Sequence, residues 1–190
     1  MSYEFDTFCE DCKESYDQNS GKADIEAIRQ KLERLLGENP EFIERTCGPD
    51  AGYGVSELYK DDDTGFIVYA HKFKEGRKSP PHDHGASWAV YGQAKKFTDM
   101  TEYRRLDDKS KAGYAEIQET RKYRLEVGMV GKFGPHDIHQ IHFEDEARFI
   151  RVTGSDLFKE DTLTYDLDNN SVNIIGTGSA ADNNRSSADA

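Results

Sequence analysis

Apolar positions in the first quarter of the chain recur with a helical period. Ile25, Ile28, Leu32 and Leu35/Leu36 fall 3.6 residues apart with charges between them, so residues 23 to 46 are expected to be helical, as are residues about 2 to 18. Gly37 is expected to stop the longer helix and Pro40 to open a short one through Thr46. From about Gly52 the pattern changes to short segments rich in aromatic and β-branched residues. Turn sequences such as Asp62-Asp63-Thr64-Gly65, Lys74-Glu75-Gly76 and Lys111-Ala112-Gly113 divide them. Strands are expected near 54–60, 65–73, 82–92, 96–106, 114–123, 130–134, 138–144, 147–154 and 162–167. So many short strands with almost no helix among them predict a mainly β fold, a sandwich or barrel, with the helices packed outside. After about Ile175 the sequence GTGSAADNNRSSADA offers almost no large apolar group to offset its ordering entropy, so a disordered tail is expected.

Length and charge narrow the functions available. At 190 residues the chain suits one domain: a helical extension over 1–51, a barrel over 52–175 and the tail over 176–190. A net charge of −12 argues against partners that select basic surfaces, nucleic acid and anionic lipid. No stretch approaches the roughly 18 consecutive apolar residues of a membrane span, and the start has neither a basic nor an apolar leader region, so a soluble, cytoplasmic protein is expected. Cys9 and Cys12 form a C-x-x-C, but a zinc site would need four ligands and only Cys47 remains to join them. Free thiols are the expectation.

Five of the six histidines fall in two clusters, SPPHDHGASWAVYGQ and GKFGPHDIHQIHF, with His142 at the end of the second; the other is His71. On a strand, His82 and His84 project to one side about 7 Å apart, within reach of a shared metal. Imidazoles suit iron, zinc, copper or nickel, and three of them leave coordination positions open for oxygen or substrate. Pro80-Pro81 fits a chain entering a strand at a barrel rim.

These residues resemble the cupin superfamily, whose first motif centres on H-x-H and whose second places a lone His after a Gly/Pro turn. Here they are His82-Asp83-His84 and Gly134-Pro135-His136-Asp137-Ile138-His139. The helical N-terminus followed by P-x-H-D-H-G-x-S-W-x-V-Y-G resembles the cysteine dioxygenase-like thiol dioxygenases. The resemblance implies a mainly β fold: a cupin double-stranded β-helix barrel with N-terminal helices. It also implies ferrous iron held by His82, His84 and His139, with O₂ and a small-molecule thiol as reactants; zinc, manganese and nickel are the alternative metals. The usual cupin glutamate is replaced by the stretch Gly85 to Ala89, as in the three-His thiol dioxygenases, and Glu102 is the fallback fourth ligand. His139 is preferred as third ligand because His136 falls in the predicted turn and His142 on the opposite face.

The sequence departs from that family around the metal. No Arg occurs between Arg45 and Arg77, where the family's substrate arginine would stand. Its Ser-His-Tyr set is matched by Phe149, Arg151 and Thr153, and Ala89 lies near the place of its cross-linked cysteine. If the Arg151 face points inward, a guanidinium beside the metal could clamp a carboxylate. Tyr69 and His71 share a face on the preceding strand, so Arg151, Tyr69 and His71 are the candidate catalytic residues, and Trp88, Tyr91 and Arg151 the candidate substrate-binding ones. Iron-dependent dioxygenation, non-redox isomerase or lyase chemistry, and ligand binding without catalysis all remain open. The apolar runs Phe66-Ile67-Val68-Tyr69 and Phe149-Ile150-Arg151-Val152 offer a surface for a homodimer.

Overall fold

The computed structural model describes residues 2 to 175, and the expected disordered tail lies outside the described residues. Helices form at Phe5–Glu14 (α1), Ile25–Glu38 (α2) and Pro40–Cys47 (α3). Asp24 caps α2 by accepting from the Ala27 amide at 3.0 Å, and Asn39 caps α3 by accepting from the Phe42 amide at 2.9 Å. Gly37 does not stop α2, contrary to expectation. The helix runs through it and ends before Asn39, because the residue preceding Pro40 is pushed out of the helical region.

Strands follow at Gly54–Lys60 (β1), Ile67–Lys72 (β2), Arg77–Lys78 (β3), Ala89–Lys95 (β4), Thr98–Arg105 (β5) and Ile117–Leu125 (β6). The remainder are Val130–Phe133 (β7), Ile138–Phe143 (β8), Arg148–Thr153 (β9), Thr162–Asp166 (β10) and Ser171–Ile175 (β11). They build a five-stranded sheet in the order β1-β2-β9-β4-β7, a four-stranded sheet β3-β8-β5-β6 and a hairpin β10-β11, with every pairing antiparallel. This is the mainly β barrel with N-terminal helices that the sequence led us to expect. The short β3 and the terminal β11 were not foreseen. The expected strand over 82–92 is regular only from Ala89; before it the chain is extended and then turns.

Side-chain alternation divides the core into two layers. Phe66, Val68, Val90, Ile150 and Val152 face outward and pack with Phe8, Ile28, Leu32 and Leu35 of the helices. Gly92 lets α2 come close, since a Cβ there would meet the Leu36 and Leu32 side chains at 2.7 and 2.9 Å. Tyr91, Phe133 and Phe149 face inward and meet Met100, Leu125 and Phe143 of the opposite sheet. The apolar runs expected to offer a dimer surface are therefore buried beneath the chain's own helices or inside its barrel. No helix of the described residues is long and apolar enough to cross a membrane.

Candidate metal centre

The two histidine clusters are joined by backbone. The His82 amide donates to the His139 carbonyl at 2.8 Å and the His139 amide donates to the His82 carbonyl at 2.9 Å. This isolated bridge sets the two side chains opposite each other on one face. Beyond His84 the chain reverses at Gly85, whose φ of +58° and lack of a Cβ are both required: a Cβ would sit 2.6 Å from the Asp161 carbonyl oxygen.

Ligand atoms of His82, His84 and His139 all lie within 4.8 Å of one another, and no other such group of His, Cys, Asp and Glu occurs among the described residues. The ring of Phe133 stacks on that of His139 at 3.8 Å and 12°, which fixes its orientation. Backbone carbonyls select tautomers. His82 Nδ1 lies 3.0 Å from the Pro80 oxygen and His139 Nδ1 lies 3.2 Å from the Asp137 oxygen, so each donates from Nδ1 and keeps a lone pair on Nε2. His139 Nε2 and His84 Nδ1 are buried with no partner, and the Tyr91 hydroxyl lies 3.3 Å from His84 Nε2. Burial holds His84 and His139 well below the usual imidazole range, and lowers His82 as well. Neutral imidazoles with unclaimed nitrogens are what a divalent metal needs, so these residues fit one.

The other candidates separate from the triad. Glu102 pairs directly across from His139 in the β5–β8 ladder, yet it is not among the clustered ligands; it acts on the Tyr123 hydroxyl instead, a phenol pushed up by burial first and by this carboxylate second. His136 takes a left-handed φ of 62° in its turn and is exposed, and His142 is exposed beside Asp99. Cys9, Cys12 and Cys47 are free and buried, as expected. Burial pushes Cys9 up to about 12.

A cavity of about 490 Å³ opens onto the site, lined among others by His82, His84, His71, Tyr91, Phe149 and Arg151. The Arg151 face of β9 therefore points inward, toward the histidines. Two expected wall residues are elsewhere. Trp88 packs in the helix-side layer against Gly154, because three residues along an extended chain place it opposite Tyr91. Tyr69 does not line the cavity; it lies under the Arg151 guanidinium, whose Cζ is 5.6 Å from its ring centroid, and meets Phe158 edge-on at 6.5 Å.

Three contributors were missed from sequence. Leu157 and Phe158, in the loop after β9, line the cavity, and nothing in their local pattern marks a loop that folds back. Asp83, between two ligands, is 1% exposed. Its carboxylate accepts from the Gly85 amide (3.0 Å), the Leu163 amide (3.1 Å) and the Tyr165 hydroxyl (3.1 Å). A carboxylate flanked by two histidines was a readable signal.

No protein-family model matches the chain, and no curated protein matches it. Among solved structures it is similar to a cupin superfamily protein from Desulfitobacterium hafniense, with 17% identity over 54% of this chain and 76% of that chain and a TM-score of 0.39. It is also similar to hydroquinone 1,2-dioxygenase PnpCD in complex with Cd²⁺ and 4-hydroxybenzonitrile (8% identity, 58% and 69% coverage, TM-score 0.42). A third is L-ribose isomerase from Cellulomonas parahominis (11%, 54% and 60%, 0.42). Likenesses this distant say nothing of activity.

Proposed function

We propose that the chain is a metal-dependent cupin oxidoreductase, a non-heme iron dioxygenase resembling the thiol dioxygenases and acting on a small thiol or another small organic substrate. The observation that carries this is the convergence of three neutral imidazoles, with ligand atoms within 4.8 Å, beside a substrate-sized cavity. His82, His84 and His139 would hold the metal. Ferrous iron bound there would supply redox coupling between O₂ and a chelating substrate.

The chain's own residues do the rest. Arg151 orients the substrate through its guanidinium, and Tyr69 beneath it holds that guanidinium in place. His71, buried with both ring nitrogens unpartnered, is placed to hold or pass a proton at the cavity wall. The hydroxyl of Tyr91 stands beside a ligand nitrogen and bounds the space available to substrate. Phe149, Leu157 and Phe158 exclude water. A cytoplasmic setting accords with three free thiols.

A second reading, a zinc, manganese or nickel isomerase or lyase, is favoured by one observation: Ala89 and Thr153 stand where the thiol dioxygenases carry their cysteine and tyrosine. Elemental analysis of freshly purified protein, with O₂ uptake by the iron-loaded form against a panel of thiols and non-thiols, separates the two. Bound iron and substrate-dependent O₂ uptake support the dioxygenase. Bound zinc with turnover independent of O₂ replaces it with the second reading, and metal content unchanged in His84→Ala removes both.

A further inference from the structure

Arg151 carries a charge that no carboxylate among the described residues answers, its partners there being the rings of Tyr69 and Tyr91. It enters no ion pair with any described carboxylate, and its Nε is buried without an acceptor. Register explains how it is held. Tyr69 on β2 and Tyr91 on β4 are its direct neighbours across two ladders, with Cζ 5.6 and 6.0 Å from their ring centroids. Asp156, whose charge is felt at Tyr69, is itself paired with Lys159 at 3.4 Å. A half-buried guanidinium whose Nε is desolvated without an acceptor, and which no carboxylate neutralises, suits a ligand that supplies the acceptor.

A second, independent group points the same way. His71 lies one row along the same sheet face, stacked on Phe149 at 4.9 Å and 15°, and both its ring nitrogens are buried without partners in the same cavity. Two unsatisfied donor-bearing side chains on one wall, from adjacent strands, form a prepared polar edge.

The rest of the lining sets the character of what binds. In a chain with 37 acidic residues against 25 basic ones, the cavity wall holds two arginines, Arg77 and Arg151, and no aspartate or glutamate. An ammonium group would find no counter-charge there. The apolar wall is aromatic: Phe73 stacks on Phe143 at 4.4 Å, with Phe149 and Phe158 alongside. The volume of about 490 Å³ lies within the roughly 300–1,000 Å³ of small-molecule pockets.

We propose that this cavity selects a carboxylate with an aromatic body and no ammonium group, its carboxylate received by Arg151 and its ring lying against Phe73, Phe149 and Phe158. This deepens the metal-site reading and rests on it for where the substrate's reacting end lies. An amino acid is disfavoured as substrate, since its ammonium would be desolvated against two cations and three imidazoles.

The test is calorimetric binding of 3-phenylpropionate, its amide and phenylalanine to the full chain, zinc-loaded so that no turnover intervenes, with metal content measured on each sample. The acid should bind at least tenfold more tightly than the amide or phenylalanine. Arg151→Gln should lose at least tenfold toward the acid and nothing toward the amide, with metal content unchanged. Equal binding of acid and amide to the unaltered chain, or no binding of the acid, overturns the proposal without needing any variant to fold. If the chain takes up no metal yet binds the acid through Arg151, the metal reading fails and the carboxylate site stands. If metal is held and the acid is ignored, the reverse is true.

Discussion

His82 and His139 hold each other through a pair of backbone hydrogen bonds of 2.8 and 2.9 Å, and their ring centroids stand 4.5 Å apart. The geometry of the centre is thus written into main chain as well as side chain, and a ligand can be removed without moving its neighbours. His139→Ala should fold and lose metal at least tenfold, while Glu102→Gln, which alters the residue directly across the ladder, should retain it. Elemental analysis of the two variants decides; equal metal in both would show that His139 is not a ligand.

The buried histidines also make stability depend on pH. Burial, aided by the Arg151 charge, holds His71 well below its usual range, so it stays neutral in the folded chain and gains a proton only on unfolding. The unfolded state therefore binds more protons below about pH 6.5, and stability falls as pH drops through that value toward the folded pKa. Each such histidine contributes a slope of up to about 1.4 kcal/mol per pH unit. In metal-free protein, urea unfolding between pH 6.5 and 5.5 should show this slope, and His71→Phe, which keeps the stack on Phe149, should reduce it by about 1 kcal/mol per unit. An unchanged slope would mean that His71 is protonated in the fold.

Arg148 is 2% exposed and is spent on structure rather than on the cavity. Its Nη1 donates to the carbonyls of Gly48 and, at 3.4 Å, of Cys47, at the C-terminal end of α3, and Nη2 lies 3.6 Å from Glu146. A cation there satisfies orphan carbonyls and opposes the helix dipole. Arg148→Met should cost about 2–4 kcal/mol in chemical denaturation, by the penalty for leaving buried acceptors unmet, and leave metal content unchanged. A loss below about 0.5 kcal/mol would show that water replaces the guanidinium.

How far the sequence discloses the site depends on the range of the interaction involved. The H-x-H and the later lone histidine are local signals, and so is the alternation that turns Phe149, Arg151 and Thr153 to one face and Ile150 and Val152 to the helices. Trp88 was assigned to the wrong wall, although its three-residue offset from Tyr91 already implied opposite faces. The regular strand expected through His82 fails because Gly85 must turn, a need set by the Asp161 carbonyl from a distant segment. Leu157 and Phe158 reach the cavity through a loop whose path is fixed by tertiary packing alone. Pairing across the chain, rather than pattern along it, supplies those parts.

Asp83 ties the last of these to the metal centre. Lying between two ligands, it also holds the β10–β11 hairpin: its amide donates to the Leu163 carbonyl at 3.0 Å and its carboxylate accepts from Leu163 and Tyr165. That hairpin brings Thr162, Thr164 and Ile175 to the cavity wall. Replacing the carboxylate should therefore do two things at once, freeing the hairpin and loosening the orientation of His82 and His84. For Asp83→Ala we expect faster amide hydrogen exchange over residues 162 to 175 and a stability loss of about 1–3 kcal/mol, the usual cost of stranding buried donors. Metal affinity should fall roughly 10–100-fold, the range for residues that orient ligands without binding metal. Asp83→Asn, which still accepts through one oxygen, should lie between. If exchange quickens while metal affinity holds, the hairpin is a cover only; if affinity falls with exchange unchanged, Asp83 acts on the histidines alone.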